Sequence, residues 1–249
     1  MPDDDPSFDI THEGDVSESL LIGIAEFGMA GVTAIDYLTQ QLEFEKTGHV
    51  TTEDLPSITP FDEGVPRHHT RFFSRDDVDV TVLLGELFVP LWAARSFSDA
   101  VLDWADAHGV EEIAFLSGVP IPHGPEQHEV FYVATEDYRE RRLSTVEMEP
   151  MGAGFLEGVH AEVISRGLDS PLAVGVYETP VHPTAQDVDA AIRLVESVGP
   201  LYGLDVATEQ LAEYGEELTA FYGTLAERIR EMQEAERGER DVPADRAYM

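Results

Sequence analysis

Residues 20–44, LLIGIAEFGMAGVTAIDYLTQQLEF, hold the pattern that decides the fold. The run 20–25 is short and apolar, which is typical of a strand that is buried on both faces. Gly28 and Gly31 follow this run. Apolar side chains then recur at helical spacing, at Val32, Ile35, Leu38 and Leu42. The stretch therefore predicts a buried strand, a glycine-containing turn and a helix.

The same alternation continues on the C-terminal side of this unit. Further strands are predicted at 68–74, 78–85, 111–118, 130–135 and 171–178. Helices are predicted at 92–109, 136–143 and 184–199, and residues 151–167 are predicted to be a glycine turn that runs into a helix. A chain in which strands alternate with helices forms a sheet that is covered on both faces. We therefore expect an α/β fold, a three-layer sandwich around a mixed, mostly parallel sheet.

Two of these helices carry more specific predictions. Gly109 is the predicted stop of the helix 92–109, and Thr184 is the candidate N-cap of the helix 184–199. The apolar stripe of the first helix is predicted to be Trp92, Phe97, Val101 and Trp104.

The C-terminal region has a different pattern. Apolar residues step by three or four from Leu211 to Met232, which predicts a long amphipathic helix. Gly238 and Pro243 then break a polar stretch that we expect to be flexible. We divide the chain into a flexible acidic N-terminus (1–17), an α/β core domain (18–205), a C-terminal helix (206–235) and a flexible docking tail (236–249).

The charge of the chain is strongly negative. Its 249 residues include 50 Asp and Glu against 15 Lys and Arg, a formal net charge of −35, and Lys46 is the only lysine. A polyanion mimic or a cation buffer would concentrate acidic residues in dense blocks, whereas the longest run here is residues 3–5. We interpret the charge as that of a halophilic protein, because molar salt shortens the Debye length to roughly 3 Å and screens surface repulsion.

Composition also excludes several classes of function. The largest cationic cluster is Arg139, Arg141 and Arg142, so binding of nucleic acid by a basic face is disfavoured. No cysteine is present, which excludes disulfides and thiolate chemistry. No signal-peptide pattern and no apolar run of roughly 18 residues occur. We therefore expect a cytoplasmic protein that does not bind membranes.

Three glutamates mark the ends of predicted strands. Glu26, Glu86 and Glu178 each end or follow an apolar strand, at the edge where open α/β sheets bind ligands. Carboxylates that converge there can have raised pKa values and act as acids or bases. The alternative, which we favour, is that they cap helices or face an oligomer contact. The glycines at the predicted turns, Gly28, Gly31, Gly118 and Gly152, belong to the same candidate edge.

Other motifs do not support catalysis or a metal site. His123 and His128 are five residues apart on a Pro/Gly loop, which fixes no common ligand geometry. Gly152, Gly154 and Gly158 miss the dinucleotide fingerprint by one residue. Neither a phosphate-binding loop of the G-x-x-x-x-G-K-[ST] type nor a nucleophile elbow occurs. We therefore expect no metal, no cofactor and no catalytic residues.

Four stretches together resemble the proteasome assembly chaperone 2 family. Residues 23–42 resemble its opening strand and Gly-Phe-Gly-Asn-x-Gly turn, with Met29 where the family often has Asn. The other three stretches match the family in order and spacing. Residues 109–118 end on Ser-Gly where the family usually has Gly-Gly, and residues 151–168 have the family's glycine turn before a helix. Residues 173–198 have Tyr-Glu where Gly-Glu is common. The resemblance implies a fold of the nucleoside-phosphorylase type without the phosphorylase's catalytic residues.

The resemblance also implies an oligomeric chaperone that engages the α-ring of the 20S proteasome, in some members through a hydrophobic-Tyr-X tail. Here that tail is Ala247, Tyr248 and Met249. Its carboxylate would pair with a lysine between α-subunits while the tyrosine ring buries apolar surface. Ala247 is a weak hydrophobe, so we expect modest affinity per tail, which a homo-oligomer would offset.

The sequence thus predicts an ATP-independent, non-enzymatic proteasome assembly chaperone or adaptor. Two alternatives stay open at this point. One is a small-molecule hydrolase or nucleoside-processing enzyme that uses the strand-edge carboxylates. The other is an oligomeric scaffold with a different client, for which the tail would be incidental.

Overall fold

The computed structural model describes residues 6–121, 124, 127–182, 186–211, 227–228 and 231. In chain order the strands are β1 Asp9–His12, β2 Ser19–Ile24, β3 Glu45–Thr51, β4 Phe61–Asp62, β5 Val65–Pro66, β6 Thr70–Ser74, β7 Thr81–Gly85, β8 Glu112–Val119, β9 Phe131–Ala134 and β10 Ala173–Pro180. The α-helices are α1 Ala30–Gln41, α2 Ala94–Ala107, α3 Glu136–Tyr138, α4 Gly158–Leu168 and α5 Val188–Val198. A π-helical turn, Arg139–Leu143, continues α3.

Among the described residues, eight strands form one mixed sheet in the order β1-β3-β6-β7-β2-β8-β10-β9. The four strands β7, β2, β8 and β10 run parallel to one another. The strands towards both edges pair antiparallel with their neighbours. The α/β fold and the mixed sheet are as predicted, with the parallel part confined to the centre.

Helices cover both faces of this sheet, as the alternating sequence pattern predicted. Helices α1 and α5 pack against each other on one face, and α2 and α4 do so on the other. Successive residues of the central strand β2 contribute to opposite layers: Leu21 belongs to the first core, and Leu20 and Ile22 belong to the second. This is the geometry of a strand buried on both faces.

The unit that opens the sheet depends on glycines that bring helix and strands into contact. A Cβ on Gly31 of α1 would lie 1.8 Å from the carbonyl oxygen of Leu116 in β8. A Cβ on Gly23 of β2 would lie 2.4 Å from the carbonyl oxygen of Gly31. Gly28 has a φ of 69°, which suits the left-handed turn between β2 and α1. Helix α1 therefore lies directly on the backbone of two central strands.

Three buried tyrosines tie the α1/α5 layer to the sheet. The hydroxyl of Tyr138 is 2.8 Å from that of Tyr177 and 2.6 Å from that of Tyr202. Burial raises the pKa of Tyr138 and of Tyr202 well above the ordinary value for tyrosine. Burial also raises the pKa of Tyr177.

Two details of the predicted helices differ from the structure. Helix α2 begins at Ala94, so Trp92 lies before it and is 57% exposed instead of belonging to the buried stripe. Helix α5 begins at Val188, and the side chain of Asp187 caps it by accepting a hydrogen bond from the backbone N–H of Ala190 at 3.0 Å. Thr184, the predicted cap, lies outside the described residues.

The N-terminal region contains strands that the sequence did not predict. Within the segment 1–17, expected to be flexible, β1 forms the edge of the sheet and pairs with β3, so this expectation is wrong for those four residues. Strand β3 was also missed, because its sequence EKTGHVT has no apolar run. The short hairpin of β4 and β5 is exposed and was missed as well.

The C-terminal predictions fall largely outside the described residues. Of the predicted helix 206–235, the structure describes 209–211, 227–228 and 231 as helical. The hydroxyl of Tyr37 in α1 donates to the carbonyl oxygen of Ala207, which fixes the start of this region to the core. The docking tail lies outside the described residues, and the division into four segments stays a prediction. No helix in the described part of the chain is both long and apolar enough to cross a membrane.

Candidate functional site

A cavity of about 430 Å³ lies at the carboxyl ends of β2, β8 and β10. Two of the predicted strand-edge glutamates line it: Glu26, which follows β2, and Glu178, near the end of β10. Ser117 of β8 also lines it, and the sheet register places Ser117 directly beside Glu178. The structure thus brings these two glutamates together at the edge where α/β sheets bind ligands.

Glu26 is held by two neighbours on the cavity floor. The hydroxyl of Ser117 donates a hydrogen bond to its Oε2 at 2.9 Å. The Nδ1 atom of His160, from helix α4, lies 3.6 Å from its Oε1. Burial of the carboxyl raises the pKa of Glu26 to about 7, and the hydrogen bond from Ser117 only partly offsets this rise.

Glu178 is more deeply buried, with only 6% of its surface exposed. Its Oε2 atom has no hydrogen-bond partner among the described residues, and the same holds for Nε2 of His160, which is 5% exposed. Burial raises the pKa of Glu178 to about 7, against the opposing effect of His160. Burial also lowers the pKa of His160, so the imidazole is neutral at neutral pH.

The walls of the cavity are mainly apolar. Phe27 and Phe88 are half-buried there, and Leu91 and Phe155 lie at the exposed rim. Gly118 lines the cavity at the end of β8, where a Cβ would lie 2.5 Å from a methyl carbon of Val181. The site therefore combines an acidic floor with aromatic and aliphatic walls.

The third strand-edge glutamate has a different environment. Glu86 does not line this cavity; its carboxylate is fully buried and binds Arg67 at 3.1 Å and Arg71 at 2.8 Å. Burial raises the pKa of Glu86, and the two arginines oppose that rise. A buried carboxylate with two cationic partners is a structural ion pair, and it is separate from the cavity.

The four candidate glycines lie in different parts of the structure. Gly28 and Gly31 serve the close packing of the β2–α1 unit, and Gly118 belongs to the cavity wall. Gly152 does not line the cavity, and a Cβ on it would meet no described atom within 4 Å. Gly152 is exposed in the 151–157 loop, so the structure places it apart from the other candidate glycines.

Sequence reasoning missed His160. Its neighbours Val159 and Val163 are buried, so the available signal was a histidine on the apolar face of a helix that follows a glycine turn. The site offers carboxyls that can give or accept a proton near neutral pH. Ser117 donates to Glu26, so the serine–histidine hydrogen bond of a hydrolytic relay is replaced here by a serine–carboxylate one.

A metal centre finds no support in the described part of the chain. No group of three or more His, Asp or Glu side chains is placed there to hold a metal ion. His128 lies near His182, with ring centroids 6.3 Å apart. His123, and the tail residues Ala247, Tyr248 and Met249, lie outside the described residues.

Comparison with known structures identifies the fold. PbaA from Pyrococcus furiosus, described as an archaeal homolog of proteasome-assembly chaperone, is similar with a TM-score of 0.81, 18% sequence identity, and 91% of this chain and 99% of PbaA covered. A Thermoplasma acidophilum protein of unknown function is similar with a TM-score of 0.78 and 23% sequence identity. The match covers 90% of this chain and 91% of that protein's chain. PbaB from P. furiosus, described as an archaeal proteasome activator, is similar with a TM-score of 0.73 and 19% sequence identity. The match covers 94% of this chain and 99% of PbaB.

The similarity to these proteins, at such low identity, shows a shared fold. No curated protein matches the chain by sequence. The sequence model of the PAC2 family, however, matches residues 20–226, which include the β2–α1 unit and every residue named on the cavity floor. This chain therefore belongs to the PAC2 family.

Proposed function

We propose that this chain is a cytoplasmic, ATP-independent chaperone or adaptor of the proteasome. The proposal rests on the match to the PAC2 family over residues 20–226. The structural matches to PbaA and PbaB each cover more than nine-tenths of this chain. PbaA is described as a proteasome-assembly chaperone homolog, and PbaB as a proteasome activator. The common element of the two descriptions is the proteasome, which we take as the partner.

The contact with the 20S α-ring is proposed to run through Ala247, Tyr248 and Met249. A tyrosine in a groove between subunits buries a large ring and keeps its hydroxyl hydrogen-bonded. A terminal carboxylate adds a charge-assisted bond to a lysine. Such a bond, once desolvated, resists the screening that molar salt imposes on surface charges.

A homo-oligomer is part of the proposal, because each tail alone has a small apolar surface. Ala247 contributes little burial, so one tail is expected to bind weakly. Several tails presented together on a symmetric ring raise the effective concentration and therefore the avidity.

The experiment measures binding to purified 20S proteasome from the same organism in molar potassium chloride. The intact chain is compared with a chain that lacks 247–249, with Tyr248→Ala, and with a control that lacks 239–241. The control removes the same number of residues and keeps the tip. We expect the first two variants to lose binding by at least about tenfold, close to 1.4 kcal/mol, and the control to bind like the intact chain.

Equal binding by the intact chain and the chain without 247–249 would remove the tail from the mechanism. Failure of all four proteins to bind 20S particles, α-rings or free α-subunits would contradict the proteasome as partner.

A further inference from the structure

The floor of the strand-edge cavity has hydrogen-bonding capacity that the described protein does not use. Oε2 of Glu178 and Nε2 of His160 lack partners, although both side chains are more than nine-tenths buried. Buried polar atoms are nearly always paired in proteins, because an unpaired one costs about 1–3 kcal/mol. Two such atoms on the floor of one cavity therefore indicate a ligand that would pair with them.

The charge on this floor is also unbalanced. Three glutamates line the cavity, Glu26, Glu157 and Glu178, whereas none of its described lining residues is Lys or Arg. The same fold treats the buried carboxylate of Glu86 differently, since it supplies both Arg67 and Arg71 as partners. Once ionised, a carboxylate only accepts hydrogen bonds, so its partner must be a donor. A donor with positive charge would also offset the unbalanced negative charge of the floor.

The size and walls of the cavity indicate an organic cation. A volume of about 430 Å³ suits a small molecule, and Phe27, Phe88 and Leu91 offer apolar contact to its body. Aromatic rings also attract cations through their faces. A metal ion fits less well, since within the described ranges no three His, Asp or Glu side chains are placed to bind one.

We propose that this cavity binds a small organic cation with N–H donors, an amine or amidine on an apolar body, through the carboxylates of Glu26 and Glu178. The protonated nitrogen lies between the two carboxylates and donates to Oε2 of Glu178. The apolar body lies against the aromatic wall. This proposal stands apart from proteasome binding, because none of its residues belongs to the docking tail.

The test uses three phenyl compounds of similar size and different charge: benzylamine, benzyl alcohol and benzoate. Thermal shift and calorimetry are carried out on the full chain, on Glu178→Gln, on Glu26→Gln and on Glu53→Gln. Glu53 is exposed and does not line the cavity, so its substitution is the matched control for the loss of one charge.

We expect benzylamine to raise the Tm of the full chain and of Glu53→Gln, and benzyl alcohol and benzoate to leave it unchanged. Both cavity variants should bind benzylamine at least tenfold more weakly. The affinity should also rise with pH up to about 8, because the cation displaces up to one proton from each of the two carboxyls.

Equal shifts with benzyl alcohol and benzylamine would show a merely apolar pocket and overturn the proposal. Benzylamine binding that Glu178→Gln and Glu26→Gln both retain would place the site elsewhere and overturn it as well. If one of these variants fails to fold, the other variant and the pH dependence of the full chain test the proposal. An affinity for benzylamine that does not change from about pH 6 to about pH 8 would contradict binding by the carboxylates.

Discussion

Gly31 is the residue at which the packing of this fold leaves least room. Glycine usually weakens a helix by about 1 kcal/mol relative to alanine. Here the missing side chain lets α1 lie on the backbone of β8, because a Cβ would come within 1.8 Å of the carbonyl oxygen of Leu116. The steric cost of a side chain at this position exceeds the gain in helix propensity, because the backbone of α1 or of β8 would have to move to relieve the clash.

Gly31→Ala is therefore expected to destabilise the protein by at least about 3 kcal/mol, although alanine is the better helix former. Denaturant unfolding in molar potassium chloride measures this difference. Gly152→Ala is the control: it lies in open space, and we expect a change within about 1 kcal/mol. A Gly31→Ala protein as stable as the parent would contradict the close approach.

Glu178 gives a prediction that depends on pH. Its pKa of about 7 in the folded protein lies above the value of about 4.3 for an exposed glutamate. The folded state therefore binds the proton more tightly than the unfolded state, and the carboxyl costs stability as pH rises from 4.3 to 7. His160 and Glu26 face this carboxyl, and with His160 neutral no described cation offsets the cost.

Glu178→Gln should therefore be more stable than the parent at pH 8, by about 1–3 kcal/mol, and similar to it at pH 5. Chemical denaturation at both pH values provides the measurement, with the exposed Glu53→Gln as the reference for removal of one charge. An equal effect of Glu178→Gln at both pH values would show that its pKa is not raised.

The sequence predicted part of the candidate site. The apolar runs before Glu26 and Glu178 led us to expect both carboxyls at one sheet edge, and both residues line the cavity there. The run before Glu86 gave the same signal, but Arg67 and Arg71 neutralise that residue, and their approach depends on the pairing of β6 with β7. His160 reaches the site through the packing of α4 on the sheet, which a local pattern does not specify.

Helix α5 shows how one cap connects two elements. Asp187 accepts hydrogen bonds from the backbone N–H of Ala190 and, at 2.9 Å, from that of His182. Its own backbone N–H donates to the carbonyl oxygen of Gly28, in the turn that precedes α1. Burial opposes ionisation of this carboxyl, but the hydrogen bonds outweigh burial and lower the pKa of Asp187.

Asp187→Ala should lower the free energy of unfolding by about 1–2 kcal/mol at neutral pH, and Asp187→Asn by less, since Asn also caps helices well. Because the folded pKa is depressed, the advantage of Asp over Ala is present above about pH 4 and declines as pH falls through the folded pKa. Urea titrations at pH 7 and pH 3 would show this; an alanine cost that grows as pH falls would contradict the assigned cap.

The strands and helices that the sequence predicted were those with strong local patterns. Strand β2 is buried at all six positions, and its run of apolar residues was sufficient to identify it. Strands β1 and β3 are half-exposed and polar, and they exist because each pairs with a neighbour across a long sequence separation. Such pairing depends on the whole sheet and leaves little trace in a short window.

The whole molecule carries a net charge of −35, which determines how its stability depends on salt. Repulsion of this size acts against the compact state, and added salt screens it. We expect the Tm to rise with potassium chloride, most steeply at the lowest concentrations, where the Debye length exceeds about 10 Å. Scanning calorimetry over a salt series tests this, and sucrose serves as the uncharged control. Screening would be contradicted by a Tm that does not rise with potassium chloride below about 0.1 M, where the Debye length exceeds about 10 Å.

The three hydrogen-bonded phenols of Tyr138, Tyr177 and Tyr202 supply an intrinsic optical reporter of unfolding. The chain has eight tyrosines, and these three resist ionisation because their pKa values are raised. An ultraviolet titration into alkali should therefore show two waves of phenolate absorbance, the later one coinciding with loss of the native fold. Tyr177→Phe should reduce the amplitude of that later wave, so the opening of the interior can be followed without any attached dye.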